Sequence, residues 1–428
     1  MPPSRFAPCR ILAVRLTLAL LAGCPSALAA VETPFCTTRL LFAPETWHVH
    51  ASCVVELPNG DLLACWFHGS GERTADDVKI QGARLRRGST TWGPRFTLAD
   101  TPGFPDCNPA LALDPQGRLW LFWACILSNQ WESALLKCQV STDFLGEGPP
   151  RWSRPEAVPL KPPAGFEPAA LAYFDRAESE ALRAAADDTA RQKVREYYQT
   201  LRGRARDRLA QRLGWMPRAH PVVLDGTRLL VPLYSDGYDC SLMAYTDDGG
   251  ATWEVSAPLF AAGNIQPSLA RRRDGSLYTL MRDNGPAPHR LHQSSSPDRG
   301  ATWSPVTDSA VPNPGSGAEV INLRDGRWAL ISNDTESGRH RLTVQLSADE
   351  GRSWPWRRAL EEDAPGPQAG RYHYPSLIQA ADGTLHATYS QHRKPAADAG
   401  GTAARDAKTI KHAHFNLAWV EAGQAREP

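Results

Sequence analysis

Asn108, Gln266 and Tyr374 occupy equivalent places in an internal repeat. Each precedes a proline, and each lies eight residues ahead of the polar residue of an X-Gly turn: Gln116-Gly117, Asp274-Gly275 and Asp382-Gly383. The nearest polar equivalents in three further copies are His50, His220 and, with looser spacing, Glu319. A purely structural repeat would place similar side chains at such a position. Here it holds amides, a phenol, imidazoles and a carboxylate, groups that orient polar partners or move protons. If the repeats circle one axis, these groups converge there, as at a site diversified on a symmetric scaffold.

The elements that must position them can be read from the turns. An apolar run, a polar residue followed by Gly, and a second apolar run recur six times, at Asn59-Gly60, Gln116-Gly117, Asp225-Gly226, Asp274-Gly275, Asp325-Gly326 and Asp382-Gly383. Asn-Gly and Asp-Gly between apolar runs are strong hairpin signals, because glycine accepts the positive φ of a tight turn. A second pattern interleaves: Thr246-x-Asp248-x-Gly250-x-Thr252-Trp253, Ser296-x-Asp298-x-Gly300-x-Thr302-Trp303 and Ser347-x-Asp349-x-Gly351-x-Ser353-Trp354, with degenerate copies ending at Trp92 and Trp152. In each box the aspartate can accept hydrogen bonds from its own turn and the tryptophan can pack between units, so a structural role is expected. The final tryptophans lie 50 and 51 residues apart, a period suited to a β-propeller blade. The expected fold is all-β, a six-bladed propeller over residues 31–421, with residues 38–42 supplying the missing fourth strand of the last blade beside residues 410–416.

One stretch breaks the rhythm. Residues 175–215, between the second and third units, show helical spacing at Leu182, Ala186, Ala190, Val194, Tyr197, Leu201, Ala205 and Leu209, with Gly203 expected to split the helix in two. Residues 191–212 carry eight Lys or Arg against two acids. Either a basic lid over an anionic ligand or a solvated insertion packed on the rim fits that charge, and the rim packing is the expectation.

At the N-terminus, Arg5, Arg10 and Arg15 precede the apolar run Leu16–Ala22, which is too short to span a bilayer. Residues 1–30 read as an export signal with two competing cleavage sites, after Ala27-Leu28-Ala29 or before Cys24 in Leu21-Ala22-Gly23-Cys24, which resembles a lipobox. A periplasmic or extracellular protein is expected, with a lipid anchor on Cys24 in the second case and no membrane span. The remaining cysteines (Cys36, Cys53, Cys65, Cys107, Cys125, Cys138 and Cys240) are odd in number and read as buried thiols. With 428 residues, 42% of them hydrophobic, the chain can bury a large core; its 47 basic and 46 acidic residues argue against nucleic-acid binding by a broad basic surface.

The repeated boxes and their periodicity resemble the sialidase (neuraminidase) superfamily, in its bacterial branch with BNR repeats, over residues 38–420 apart from the helical stretch. That resemblance implies an exo-acting glycoside hydrolase that holds an acidic sugar with arginines, protonates the leaving group with an Asp, and attacks with a Tyr paired to a Glu. Carried over position by position, it places the nucleophile at Tyr374, carboxylate-binding arginines at Arg282 and at Arg339 or Arg341, and the acid at Asp76 or Asp77 with Arg73 nearby. Two departures stand out. His50-Ala51-Ser52 replaces the first arginine of the triad, and Gln266 stands where the activating Glu belongs. An amide cannot deprotonate a phenol, so Glu319 or a histidine would have to act instead.

Physical chemistry supports parts of this assignment. A guanidinium donates two parallel hydrogen bonds to a carboxylate. Adjacent Asp76 and Asp77 would point oppositely on a strand, so one at most faces the channel, where shelter would raise its pKa. His48, His50, His68, His220 and His373 fall near the predicted mouth, with Asn108, as substrate contacts or hydrogen-bonded core groups. Without acidic partners at fixed spacing they imply no metal, and no cofactor is implied. The expected activity is sialidase-type hydrolysis of a terminal acidic sugar on a glycan, by a monomer. The alternatives are β-elimination of a uronate by a propeller lyase, and glycan binding without catalysis.

Overall fold

The X-Gly pairs turn the chain as their chemistry dictates, with left-handed glycines such as Gly275 at φ +87° and Gly383 at +96°. The structure, a computed structural model, describes Met1, residues 32–394 and residues 406–423. Beyond Met1, the expected export segment, with both cleavage sites and Cys24, lies outside the described residues. Among the described residues no helix is long and apolar enough to cross a membrane.

Six antiparallel sheets follow one another along the chain, so the fold is the expected six-bladed β-propeller. The innermost strands begin at His48, Asp106, Met216, Asn264, Glu319 and Arg371. The last sheet is completed from the other end of the chain: Cys36–Leu40 pairs antiparallel with Ala407–Phe415, Thr38 opposite Ala413. The donated strand thus sits two residues earlier than its predicted position and beside its predicted partner, leaving no open edge in the ring.

The Asp boxes are structural, and each is closed by its own residues. Asp248 accepts from Thr252 N at 2.9 Å and from Thr252 Oγ1 at 2.5 Å, and Thr246 Oγ1 accepts from Gly250 N at 2.9 Å. Asp298 and Asp349 repeat the arrangement with Thr302 and Ser353. Their tryptophans fill the seams between blades: Trp253 meets Phe122 of the preceding blade edge-on at 5.8 Å. All seven described cysteines are free thiols, six of them buried.

The insertion folds as α1 (Phe166–Ala184) and α2 (Asp188–Arg206), beginning nine residues before the predicted start. The break falls at Ala185–Asp187 rather than at Gly203, because the Asp187 side chain caps α2 by accepting from Ala190 N at 2.7 Å. Gly203 is absorbed inside α2, a cost of about 1 kcal/mol that tertiary packing offsets. Phe166, Phe174, Leu201 and Ala205 are buried with Trp215 and Tyr238 on the third blade. The basic residues pair locally, Arg202 with Asp175 and Glu178, Arg204 with Glu132. The insertion is packed on the rim, and its cations do not line the central pocket described next.

Candidate active site

Tyr374, Gln266 and Asn108 converge. Together with Arg282, on the neighbouring strand Leu277–Asp283 of the fourth blade, and Asn284 just beyond it, they line a cavity of about 350 Å³ at the starting ends of the innermost strands. A larger hollow of about 530 Å³ lies at the opposite ends of those strands, among Glu56, Gly60 and Asp382, and contains none of these groups.

The local backbone explains how three unlike side chains share one place. Asn108, Gln266 and Tyr374 have φ of +51°, +56° and +53°. Each begins a β-bulge, with its proline as the second unpaired residue. Left-handed geometry at a non-glycine residue costs of order 1–3 kcal/mol, strain that concentrates at functional sites. In the first blade the same position belongs to Ala51, at φ +53°, between paired His50 and Cys53. His50, predicted as the repeat equivalent, therefore stands one residue before the bulge. Its buried ring instead packs edge-on against Tyr374, centroids 4.3 Å apart.

Tyr374 is the centre of the arrangement. Its Oη accepts from Arg282 Nη1 at 2.9 Å and from Gln266 Nε2 at 3.2 Å. Arg218 and Arg339 lie over its ring at 5.0 and 5.8 Å. Gly317 seals one side: a Cβ there would come 2.9 Å from Gln266 Oε1 and 3.0 Å from Tyr374 Cδ1, so only glycine fits without displacing both. Of the two alternative arginines, Arg339 is beside Tyr374, whereas Arg341 pairs with Asp334 at 3.3 Å, outside the cavity wall. Asn108 donates to Tyr234 Oη at 3.0 Å on the opposite wall.

Asp76 and Asp77 are elsewhere. They lie in the loop before Lys79–Leu85 rather than on a strand, and both are exposed. Asp77 closes that loop by accepting from Ser70 N and Oγ at 3.0 and 2.9 Å, and Asp76 accepts from Asn129 Nδ2 at 2.9 Å. The same loop sends Glu72 into the cavity wall, where burial raises its carboxyl pKa. Arg73 stacks over Trp131, another wall residue, at 5.2 Å.

Two further acids come from the tip of the third blade's central hairpin. Burial pushes Asp236 up to about 6, and burial also raises Asp239. Tyr197 of α2 donates to Asp239 Oδ2 at 2.8 Å, tying the insertion to the pocket wall. The second Asp-Gly pair in that unit, Asp236-Gly237, was the available sequence signal for this tip. Glu72 and Arg218 had no comparable signal.

Glu319 and His220 form a separate buried pair. His220 Nδ1 lies 2.6 Å from Glu319 Oε1, His220 Nε2 lies 3.2 Å from Cys53 Sγ, and Glu319 Oε2 accepts from Leu377 N at 2.7 Å. Burial opposes charge on both groups, yet His220 keeps the Glu319 carboxyl low, and Cys53 and Glu319 hold the imidazole high. The pair links four blades and does not touch Tyr374, so the geometry offers Glu319 no role as its base.

The BNR repeat-like domain family matches residues 60–168 and 205–387. The chain belongs to that family. The interruption of the match coincides with α1 and α2. This BNR-repeat propeller is a member of the sialidase-like superfamily. It is 30% identical over 183 residues to the anhydrosialidase of Macrobdella decora, a match covering 39% of this chain and 23% of that relative's length. Solved structures of sialidases share the fold. A leech intramolecular trans-sialidase complexed with 2,7-anhydro-Neu5Ac has a TM-score of 0.62 and 14% identity, over 90% of this chain and 71% of that one. The NanB sialidase of Streptococcus pneumoniae has a TM-score of 0.61 and 13% identity, over 89% and 71%. Fold likeness of this kind identifies the scaffold and leaves the reaction to the site.

Proposed function

We propose that the protein is an exported glycoside hydrolase of sialidase type that removes a terminal acidic sugar from a glycan. The carrying observation is the convergence of Arg282 and Gln266 on the phenolic oxygen of Tyr374 at the wall of a cavity that also holds carboxyl groups of raised pKa. Arg282, with Arg339 behind the phenol, attracts the sugar carboxylate. Tyr374 attacks the anomeric carbon, and a neutral nucleophile avoids repulsion by that carboxylate. Glu72 and Asp236 take the place first assigned to Asp76 or Asp77: one protonates the departing oxygen, and the other accepts the phenol proton that Gln266 cannot take. Arg5, Arg10, Arg15 and the short apolar run support export, either cleaved after Ala29 or anchored through Cys24. The mass of the mature N-terminus separates these two.

A second reading is favoured by Gln266 itself. With an amide where a hydrolase of this type keeps a carboxylate, Tyr374 beside Arg282 also suits proton abstraction from a uronate, followed by β-elimination. Incubation with a panel of sialylated and uronate-containing glycans distinguishes the readings. New reducing ends lost in Tyr374→Phe support hydrolysis. Unsaturated, ultraviolet-absorbing products support elimination. Stoichiometric binding without turnover would mark a glycan-binding propeller, and full activity of Tyr374→Phe would refute the nucleophile.

A further inference from the structure

Behind Tyr374, away from the cavity-facing oxygen, three imidazoles from two blades meet. His50 lies on the innermost strand of the first blade, His373 on that of the sixth, and His392 on the next strand of the sixth, Leu385–Arg393. They are 7%, 4% and 6% exposed. Ring centroids are 4.5 Å apart for His50–His373, 4.6 Å for His373–His392 and 5.5 Å for His50–His392. One nitrogen from each ring can be chosen so that all three lie within 4.8 Å of one another.

The surroundings orient these rings as ligands are oriented. His50 Nδ1 is 3.2 Å from Ser390 Oγ, and His392 Nε2 is 3.0 Å from Val49 O, which leaves the second nitrogen of each ring for another partner. His373 Nδ1 is buried with no hydrogen-bond partner at all. An unsatisfied buried acceptor or donor costs free energy, so a structure that keeps one invites an explanation. Burial, reinforced by the neighbouring imidazoles, holds His50 and His373 well below the ordinary imidazole range, and burial with the Lys408 and Arg371 charges lowers His392 to about 4. All three are therefore neutral near pH 7, the form that coordinates metals. His392 also borders a cavity of about 370 Å³ walled by Arg339, Arg371 and Asp406, which gives an ion a way in.

We propose that His50, His373 and His392 form a binding site for one divalent transition-metal ion of the zinc class. The donor set selects the class. Calcium and magnesium take oxygen ligands, and no carboxylate belongs to this cluster. Imidazole nitrogens suit zinc, nickel, copper and cobalt. Zinc–nitrogen bonds of about 2.1 Å in a tetrahedron put ligand nitrogens about 3.4 Å apart, so small ring rotations complete the site. Arg339 and Arg371 nearby disfavour a bare dication and favour an anion such as hydroxide at the fourth position. His48 flanks the cluster, its ring 5.5 Å from that of His50 and its Nε2 3.7 Å from Glu72, so the site adjoins the cavity wall.

The test uses the full chain, stripped with a chelator and dialysed, then titrated with zinc chloride by calorimetry and with cobalt(II) by visible absorption. The expected result is one ion per chain, a tetrahedral or five-coordinate cobalt spectrum, and no competition from calcium or magnesium. His373→Gln and His392→Gln should each weaken binding by roughly tenfold to a hundredfold or more, while His289→Gln should leave it unchanged. X-ray absorption of the zinc-loaded wild type should count three imidazoles, which keeps the result decisive if a variant fails to fold. No uptake by the wild type, uptake retained in both variants, or fewer than three imidazoles overturns the proposal.

Discussion

Arg282 and Tyr374, two blades apart in the ring, share a hydrogen bond of 2.9 Å from Nη1 to Oη. The other arm of the guanidinium donates to Asn284 Oδ1 at 2.9 Å, so the fork is held in orientation before any ligand arrives. If Tyr374 is the nucleophile, as proposed, an arginine that touches both its oxygen and an incoming carboxylate couples binding to reaction. Arg282→Lys keeps the charge and loses the fork. Steady-state kinetics on the glycan identified as substrate should show kcat/KM reduced by roughly a hundredfold or more, with the melting temperature little changed.

Gly317→Ala tests how closely the phenol must be placed. The new methyl would crowd Gln266 Oε1 and the Tyr374 ring at 2.9 and 3.0 Å. Displacement of a reacting group by a fraction of an ångström is expected to lower kcat by about tenfold or more while substrate binding persists. Unchanged kcat would mean that the pocket tolerates movement of Tyr374.

Asp236 makes stability depend on pH. Its pKa rises from an ordinary 3.8 to about 6 through burial. Below pH 3.8 the group is protonated both folded and unfolded and carries no charge penalty; as pH rises through about 6 the folded protein must hold a buried charge, and stability falls. Asp236→Asn should therefore raise the melting temperature at pH 7.5, by the equivalent of roughly 1–3 kcal/mol, with the gain vanishing toward pH 4. If Asp236 is the proton donor, activity of the wild type should decline as pH rises above about 6 and be lost in the same variant.

Tyr197→Phe probes the connection from α2 to the pocket. The change removes the 2.8 Å hydrogen bond to Asp239, whose backbone sits at φ +48°. Since Tyr197 is exposed, stability should change by less than about 1 kcal/mol. A rise in KM of several-fold is expected if the insertion steadies the acidic hairpin tip, and identical kinetics would show that it does not.

Arg218→Met should destabilise the fold by about 2–4 kcal/mol, measured by denaturant titration. Arg218 is 3% exposed, and its guanidinium donates to Ser52 O at 3.2 Å and Pro375 O at 2.9 Å, joining the bulges of the first and sixth blades. Methionine preserves the stem's packing and leaves both carbonyls without a donor.

The fold was legible because its signals are local. Each X-Gly turn and each Asp box closes on its own residues, as Asp248 and Thr252 do, so their spacing alone counts the blades. The positions of Asn108, Gln266 and Tyr374 were legible for the same reason, being fixed by distance from a turn. Glu72, Asp236, Arg218 and His392 were not, since a loop, a hairpin tip, an irregular strand and a second strand bring them in. Their direction depends on neighbouring blades rather than on repeat phase. Asp76 and Asp77 show the converse: near the right place in sequence, they are turned outward by Ser70 and Asn129.

Residues 36–40 find their strand partners at residues 411–415, nearly the whole chain later. A contact of such sequence separation forms slowly, and until it does the circle stays unclasped. That pairing is the latch that completes the sixth blade, on whose innermost strand Tyr374 lies. Clipping the chain after residue 40 would release that latch and loosen the sixth blade, which carries Tyr374, while sparing each individual hairpin.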